Sequence, residues 1–319
     1  MHFCEVQKRL KKRGVLLSNS VIDRIKKTDW QLIILLLPGL IWLVMFAYIP
    51  MAGLKMAFYN YNAFAGFDGS VFVGLKNFQQ LFQGQDFLRA FKNTLQIGVL
   101  QLIICFPFSI FLAILVTEMR SKFLPKITQT VTFLPYFVST VVACGIVISF
   151  LSPSTGIINL LLNKLGHESI YFMVDPKYFK GIYVTMMLWK TAGFNAVVYI
   201  AALMGIDPSL YEAADVEGAT RMQKIRKITL PCIAPTISVM LILELGRIMK
   251  VGYESILLLY QPSTYSTADV IGTYTYRLGI VQNNFGLSTA AGLFESVIAL
   301  IMVIAANRIS KKLSESSIW

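Results

Sequence analysis

The stretch GIDPSLYEAADVEGATRMQKIRKITLP, residues 205–231, separates two long apolar runs and carries its own helix start and stop signals. Asp207 is a good N-cap for a helix that meets no breaker before Gly218. Gly218 suits the left-handed position that ends such a helix. Thr220 is placed to cap a second short helix over Arg221–Ile228, which is basic on its exposed side. The stretch therefore predicts two short helices, joined by a glycine kink, at a membrane surface.

The same stretch has the composition of a binding site for another protein. Its alanines let a second backbone approach closely, its apolar and aromatic side chains offer an anchor, and its acidic side chains are able to pair with basic groups. The candidate contact residues are Leu210, Tyr211, Glu212, Ala213, Ala214, Asp215 and Gly218, with Glu217 as a further acidic group.

The rest of the chain has the composition of a membrane protein. Of 319 residues, 55% are hydrophobic and only 14% are charged, against about 25% charged in soluble domains. A transmembrane helix needs about 20 mostly apolar residues. Six windows meet this need: Gln31–Met51, Thr94–Val116, Gln129–Leu151, Ile182–Met204, Ile233–Met249 and Leu287–Ala306. We therefore expect an all-α integral membrane protein with six transmembrane helices.

The positions of the basic residues predict the orientation. The net charge is +12, but the basic residues flank the apolar runs instead of forming one soluble face, which disfavours nucleic acid as a partner and favours membrane lipid. With the N-terminus inside, the inner segments hold 18 Lys and Arg and the outer segments hold 8. The positive-inside rule then places both termini, and the 205–231 stretch, in the cytoplasm.

Four parts follow from this reading. Residues 1–30 form a basic cytoplasmic segment, residues 31–93 a first transmembrane helix with an aromatic external segment, residues 94–306 a core of five transmembrane helices, and residues 307–319 a cytoplasmic tail. The aromatic segment indicates an interfacial helix and aromatic belt, with a docking surface for an external partner or glycan as the alternative. Residues 261–286 are nearly uncharged and are expected to form an external loop.

Ionisable residues inside the spans point to a solute pathway, because such residues usually face the protein interior or water. Lys190 lies within the fourth window, and the fifth carries charges spaced three or four apart, which places them on one helical stripe. The candidate pathway residues are Trp189, Lys190, Asn195, Tyr199, Glu244, Arg247, Lys250, Tyr253 and Glu254. Two interpretations stay open: a hydrated cavity suited to a sugar, and a charge ladder that neutralises itself against neighbouring helices. The basic pair Arg247 and Lys250 favours an acidic sugar, while the acids on the same stripe weaken that inference.

The 207–231 loop resembles the EAA loop of the permease subunits of ABC importers. Glu-Ala-Ala at 212–214 is followed after three residues by Gly218, and after nine more by Ile228, one residue and Leu-Pro, so every fixed position of the pattern is met. In that family the loop docks into a groove of a cytoplasmic ATPase and transmits ATP-driven closure to the spans. The resemblance carries this role to Glu212, Ala213, Ala214 and Gly218.

A longer resemblance covers nearly the whole chain after about residue 28. The chain is similar to the oligosaccharide-importer permeases of the MalF group, in the LplB-like branch. The matching segments are LLLPGLIW (35–42), VGLKNFQQLF (73–82), LSPSTGIIN (151–159), YIAALMGIDPSLYEAA (199–214) and NRISKKLSESSIW (307–319).

This resemblance implies the type I ABC importer permease fold and a transport subunit that binds no cofactor itself. ATP and Mg are expected on two copies of a partner ATPase. A second homologous permease and an external solute-binding protein are the other implied partners, the cell membrane of a bacterium is the location, and an oligosaccharide, as one option an acidic or complex glycan, is the solute.

Two other classes of function fit the sequence less well. An ion-gradient-driven secondary transporter would account for the intramembrane charges but not for the EAA loop, and no inverted repeat is evident. A membrane-embedded enzyme would need a motif such as HExxH, GxSxG or a P-loop, and the sequence has none of these. ATP hydrolysis is therefore expected on a separate subunit.

Overall fold

The computed structural model describes residues 30–119, 121 and 123–314, so the predicted basic segment lies almost wholly outside the described residues. The chain divides into two compact units after Lys55. Within the described residues, five helices are long and apolar enough to cross a membrane, or six if one bent pair is counted as a span. All six predicted windows fall on these helices.

Among the described residues, the first unit holds the apolar span Ile33–Phe58 as far as Lys55. Its helical geometry changes along its length. It comprises α1 (Trp30–Leu43), a π turn (Val44–Tyr48), one α turn (Ile49–Met51) and a 3₁₀ segment (Ala52–Phe58). The predicted first span, Gln31–Met51, is confirmed and extended by about two turns.

A β-hairpin follows, which corrects the all-α expectation locally. Strands β1 (Tyr59–Asn62) and β2 (Gly66–Phe72) pair antiparallel, with Tyr59 opposite Phe72. The ring of Tyr59 packs edge-on against Phe72, with centroids 5.2 Å apart, and aromatic cross-strand pairs of this kind stabilise two-stranded sheets. A hairpin therefore stands where the sequence predicted the start of an interfacial helix, and α2 (Lys76–Gln83) comes after it.

Two long helices form the centre of the second unit. Helix α3 spans Gln85–Thr117 and helix α7 spans Pro176–Met204. They run in the same direction, because Lys180 near the start of α7 bonds to Gln96 of α3 and the late residues of both helices share one buried cluster. Lipid is as apolar as a leucine side chain, so close packing rather than hydrophobic burial holds such helices together.

Glycines set how closely other segments approach these two helices. A Cβ on Gly98 of α3 would lie 2.2 Å from the carbonyl oxygen of Ile248. A Cβ on Gly193 of α7 would lie 2.1 Å from the carbonyl oxygen of Thr132. Any side chain at either position would force the backbones apart, so both glycines are packing positions of the bundle.

The third predicted span, Gln129–Leu151, is not one straight helix. Helix α4 (Leu124–Phe133) continues as a 3₁₀ turn (Leu134–Phe137), and α5 (Thr140–Phe150) leaves at an angle of 103°. Val138 is extended, and the side chain of Ser139 caps α5 by accepting from the N–H of Val142 at 3.3 Å. A short helix, α6 (Ile157–Lys164), precedes α7.

The predicted second short helix after the glycine kink is the first part of a span. Helices α8 (Pro208–Val216) and α9 (Arg221–Lys224) flank the kink. A π turn (Ile225–Thr229) then joins α9 to α10 (Leu230–Arg247), giving a continuous helical span over Arg221–Arg247. This span ends at Arg247, so the predicted single stripe of charges is broken: Lys250 lies in a turn, and Glu254 lies on the next helix.

The predicted external loop at 261–286 is also corrected, because most of it is helical and several of its polar residues are buried. The helices here are α11 (Tyr253–Leu259), α12 (Tyr265–Ala268) and α13 (Ile271–Tyr276), with a 3₁₀ turn (Pro262–Thr264) and a π turn (Arg277–Val281). We call residues 253–284 the outer segment. The last helix, α14 (Phe285–Ser314), follows and packs against α10.

A buried ion pair holds the outer segment together. Asp269 is fully buried and receives two bonds from the Arg277 guanidinium, at 3.1 and 2.7 Å. The hydroxyl of Thr273 donates to the same carboxylate at 2.8 Å. These bonds raise the pKa of Arg277 above its usual value, and the rings of Tyr265 and Tyr274 lie 5.2 and 5.8 Å from its guanidinium carbon. The buried carboxylate of Asp269 is thus paired with a cation, as a buried charge requires.

Candidate functional site

The EAA loop, residues 207–231, begins and ends its first helix as the sequence predicts. The Asp207 carboxylate accepts from the N–H of Ser209 at 2.9 Å, and this bond holds the pKa of Asp207 below its usual value. Gly218 has φ +75°. Its N–H donates to the carbonyl of Asp215 at 3.0 Å, and the N–H of Ala219 donates to that of Ala214 at 2.9 Å. These two bonds form a Schellman motif, which closes the end of α8.

The two helices of the loop are fastened to each other across the kink. Thr220 and Gln223 form a capping box at the start of α9. The ammonium of Lys224 lies 2.6 Å from the carboxylate of Asp215. Asp215 is therefore engaged inside the loop, although the sequence placed it among the residues free for a partner.

The loop is also fastened to the bundle. Arg221 donates from Nε to the Glu118 carboxylate at 2.7 Å, directly after the end of α3. The hydroxyls of Tyr211 and Thr229 lie 2.9 Å apart. Tyr211 is half-buried by this contact, so it secures the loop instead of projecting as an anchor. These contacts tie the loop to the end of α3 and to the π turn that precedes α10.

The surface that remains exposed is apolar with acidic groups. Leu210 is 45% exposed and Val216 is 90% exposed, and Glu212 and Ala213 are exposed beside them. Met222 adds a further apolar side chain at 56% exposure. An apolar patch with an acidic rim is the composition of a docking surface. Val216 and Met222 are not among the predicted contact residues; their only signal in the sequence is an apolar side chain next to the kink.

A cavity of about 320 Å³, the central cavity, lies among α3, α7, the break between α4 and α5, and the end of α10. Its polar and aromatic lining comprises Gln101, Phe106, Ser109, Tyr136, Thr191, Phe194, Asn195, Tyr199, Glu244, Arg247 and Lys250. Five of the nine predicted pathway residues thus meet here: Asn195, Tyr199, Glu244, Arg247 and Lys250. The break after Arg247 returns Lys250 to the same cavity, although it is no longer on the same helix.

The other four predicted pathway residues lie elsewhere. Trp189 is on another face of α7, where it lines a mainly apolar cavity of about 800 Å³. Lys190 donates to the hydroxyl of Thr140 at 3.2 Å, at the start of α5. Tyr253 packs against Tyr276 in the outer segment, and Glu254 is exposed in the first turn of α11. The helix end at Arg247 redirects these last two side chains.

An aromatic pair at the central cavity was not predicted. The rings of Tyr136 and Phe194 are stacked, with centroids 3.8 Å apart and planes 5° from parallel. Both line the cavity. Tyr136 reaches it because the 3₁₀ turn after α4 turns the chain across α7. No periodic signal in the sequence marks that break.

The charges of the central cavity are not paired with one another. Across residues 30–119, 121 and 123–314, no salt bridge includes Glu244, Arg247 or Lys250. The lining holds two cations and one anion, and the carboxyl of Glu295, which does not line the cavity, interacts electrostatically with Lys250.

The chain is similar to proteins of one transport family. The family described as the inner membrane component of binding-protein-dependent transport systems matches residues 105–315. The Bacillus subtilis polygalacturonan/rhamnogalacturonan transport system permease protein YteP is 38% identical over 288 residues, which is 90% of each chain. Protein LplB of Bacillus subtilis is 38% identical over 293 residues, which is 92% of each chain.

A solved structure agrees with these relatives. A chain of a bacterial alginate ABC transporter, crystallised with an alginate pentasaccharide-bound periplasmic protein, is 48% identical, with a TM-score of 0.84 over 92% of this chain and 98% of that one. The type I importer permease fold and the LplB-like resemblance are thereby confirmed. The chain belongs to the inner membrane components of binding-protein-dependent transport systems, in their carbohydrate-type branch, as a multi-pass transport subunit of the bacterial cell membrane and not an enzyme.

Proposed function

We propose that this chain pairs with a second homologous permease to form the pathway for ATP-driven uptake of an acidic oligosaccharide. The central cavity carries this proposal, because it combines two cationic side chains with amide, hydroxyl and aromatic groups. Two of the similar proteins are named for acidic carbohydrates: polygalacturonan for one, and alginate, an acidic polysaccharide, for the other. The family consists of subunits of binding-protein-dependent transport systems, which disfavours the alternative of a secondary transporter driven by an ion gradient.

The cavity lining matches the chemistry of such a solute. Sugar hydroxyls need donors and acceptors, which Gln101, Ser109 and Asn195 supply. Sugar rings present apolar faces, for which the Tyr136–Phe194 pair is a platform. Arg247 and Lys250 are both exposed and line the cavity, so they are able to pair with the carboxylates of the solute. The unpaired state of these charges favours the hydrated cavity over a self-neutralising ladder.

The EAA loop supplies the mechanical connection. In this proposal the loop faces the cytoplasm, as do both termini, and α8 docks into a cytoplasmic ATPase, of which two copies bind ATP and Mg. Leu210, Glu212, Ala213 and Val216 form the contact surface, and Gly218 sets the angle of α8. The Arg221–Glu118 contact and the continuous span from Arg221 then carry the movement to α3 and α10, both of which line the cavity.

An external solute-binding protein delivers the solute in this scheme. ATP binding closes the ATPases and draws the two EAA loops together, which opens the cavity outward to accept the solute. Hydrolysis separates the loops and opens the cavity to the cytoplasm.

The charge part of the proposal is tested with Arg247→Gln in the complete transporter in proteoliposomes. We expect uptake of tetragalacturonate to fall roughly tenfold, since a charge-assisted hydrogen bond is lost. Uptake of its uncharged methyl ester should not fall. Glu254→Gln is the matched control, since Glu254 is exposed and does not line the cavity. Equal loss for the acid and the ester would refute recognition of the carboxylates by Arg247.

A further inference from the structure

A second cationic cleft lies at the end of the bundle away from the EAA loop. It has a volume of about 450 Å³ and lies between the first turns of α3 and α7 and the outer segment. Two lysines, Lys92 and Lys180, flank it. Its other polar walls are Asn93, Gln96, Ser266 and Thr267. We call this the lysine cleft.

The lysines of this cleft have no acidic partner. Arg89, which also lines the cleft, is paired with Asp86 at 2.7 Å. The ammonium of Lys180 donates to the neutral amide of Gln96. Within residues 30–119, 121 and 123–314, neither Lys92 nor Lys180 takes part in a salt bridge. Two positive charges therefore face a concave surface without compensation.

The lysine cleft and the EAA loop lie about one bilayer thickness apart. Gln96 at the cleft and Glu118 at the EAA loop are separated by about 33 Å of α3, at 1.5 Å per residue, close to the ~30 Å of a bilayer core. In an importer whose EAA loop faces the cytoplasm, the cleft is on the side that receives the solute. This step rests on the proposed function.

Helix α7 lines both the lysine cleft and the central cavity. Lys180 lines the cleft, while Met187 and Thr191 line the central cavity. Spacings of seven and eleven residues are close to two and three helical turns, so these three positions share one face of α7. Tyr183 and Val184, which lie between these positions on the same face, are buried, so packed side chains separate the cleft from the cavity in this structure.

We propose that the lysine cleft is a binding site for the carboxylates of a uronic-acid oligosaccharide, occupied before the solute reaches the central cavity. Exposed lysines near a membrane surface often only reach toward lipid phosphate. Here the lysines share a concavity with the amide of Gln96 and the hydroxyl of Ser266, which are able to bind the hydroxyls between the carboxylates of a sugar acid. The amide of Asn93 and the hydroxyl of Thr267 are engaged with backbone carbonyls. A lipid headgroup would need only the charges.

The site is tested directly by amine-reactive labelling of the complete transporter in vesicles of neutral lipid, without ATP, read by mass spectrometry. We expect tetragalacturonate to slow the labelling of Lys92 and Lys180 and its methyl ester to leave it unchanged. Lys177 is the internal control, since it is exposed at the same end of α7 and does not line the cleft. No charge-dependent protection, or protection only when anionic lipid is present, overturns the proposal.

Transport kinetics give an independent reading. In Lys92→Gln and Lys180→Gln we expect the KM for tetragalacturonate to rise roughly threefold to fivefold each, as for exposed charge pairs of up to about 1 kcal/mol, with kcat unchanged. An equal rise for the methyl ester, or a changed dependence on the concentration of the binding protein, would show a docking role and overturn the site. If the wild-type transporter shows no ATP-driven uptake of tetragalacturonate, the proposed function is wrong. The labelling experiment would still show whether the lysine cleft binds the oligosaccharide.

Discussion

The EAA loop and the outer segment are both short helices joined by turns, yet they are held in opposite ways. The loop's caps and its Asp215–Lys224 pair join residues close in sequence, and its tie to α3 is an exposed ion pair. The outer segment is held by buried bonds between residues more than 170 positions apart. Local bonds let the loop move as one unit, whereas buried long-range bonds fix the outer segment on the bundle.

The largest effect is expected for Asp269→Ala. Its removal leaves the Arg277 guanidinium, whose side chain is only 22% exposed, without its carboxylate. Breaking a buried pair from one side typically costs about 3–5 kcal/mol. We expect a strongly lowered thermal unfolding temperature of the purified complex in detergent.

Asp86→Ala is the matched control, because the Asp86 side chain is 65% exposed in its pair with Arg89. An exposed pair contributes at most about 1 kcal/mol. Similar losses in both variants would show that burial does not distinguish the two pairs.

A smaller loss is expected for Asn93→Ala. The Asn93 side chain is buried and donates to the carbonyls of Ser266 and Asp269, both at 3.1 Å. Leaving buried carbonyls unpaired costs about 1–3 kcal/mol. Hydrogen exchange should rise in residues 264–276 and stay unchanged in the EAA loop. Faster exchange in both regions would contradict the independence of the two.

Gly218→Ala should lower the stability of the protein less than Asn93→Ala does, but it should lower ATP-driven uptake. A Cβ meets no atom there, so only the positive φ is strained, at about 1–2 kcal/mol. Relief of that strain changes the angle between α8 and α9, and we expect ATP-driven uptake to drop while the protein stays folded. Gly205→Ala, with a negative φ of −85°, is the control. Unchanged uptake in Gly218→Ala would show that transport does not depend on the angle that Gly218 sets between α8 and α9.

The smallest change in stability is expected for Arg221→Ala. Its pair with Glu118 is exposed on the arginine side, at 61%, so less than about 1 kcal/mol is at stake. ATP hydrolysis should continue while less solute is carried per ATP, measured as the ratio of uptake to phosphate release. The exchanged pair Arg221→Glu with Glu118→Arg should recover part of that ratio, and no recovery would argue against the contact as the connection to α3.

The same contrast explains what the sequence could predict. The EAA loop was predictable because its determinants are near each other in the chain: the Asp207 cap, the αL glycine at 218 and the Thr220 cap act over three or four residues. The spans were predictable because about 20 apolar residues suffice to identify one. The five predicted pathway residues that line the central cavity were visible as polar side chains in or directly beside apolar windows.

The remainder depends on tertiary contacts. The bend of 103° after α4 brings Tyr136 onto Phe194, and no local pattern distinguishes it from a straight span. A 3.6-residue period places Glu244, Arg247, Lys250 and Glu254 on one stripe, but the helix ends at Arg247 and separates the last two residues from it. Residues 261–286 resemble a solvated loop because they are polar, but Asp269, Thr273 and Thr264 are buried through partners that only the fold supplies. Of the seven predicted contact residues, Asp215 and Tyr211 form bonds within the chain, to Lys224 and Thr229. The sequence alone does not show these two contacts.

The central claim is that α8 docks into an ATPase. The most direct test is quantitative co-purification of the cytoplasmic ATPase with the membrane subunits of Val216→Asp and Glu212→Ala. Val216 is 90% exposed, so its replacement disturbs a partner and not the fold. We predict that the two membrane subunits assemble normally while the ATPase is lost or weakened by more than about tenfold, as for a central contact residue. Full recovery of the ATPase with normal uptake in both variants would contradict the account.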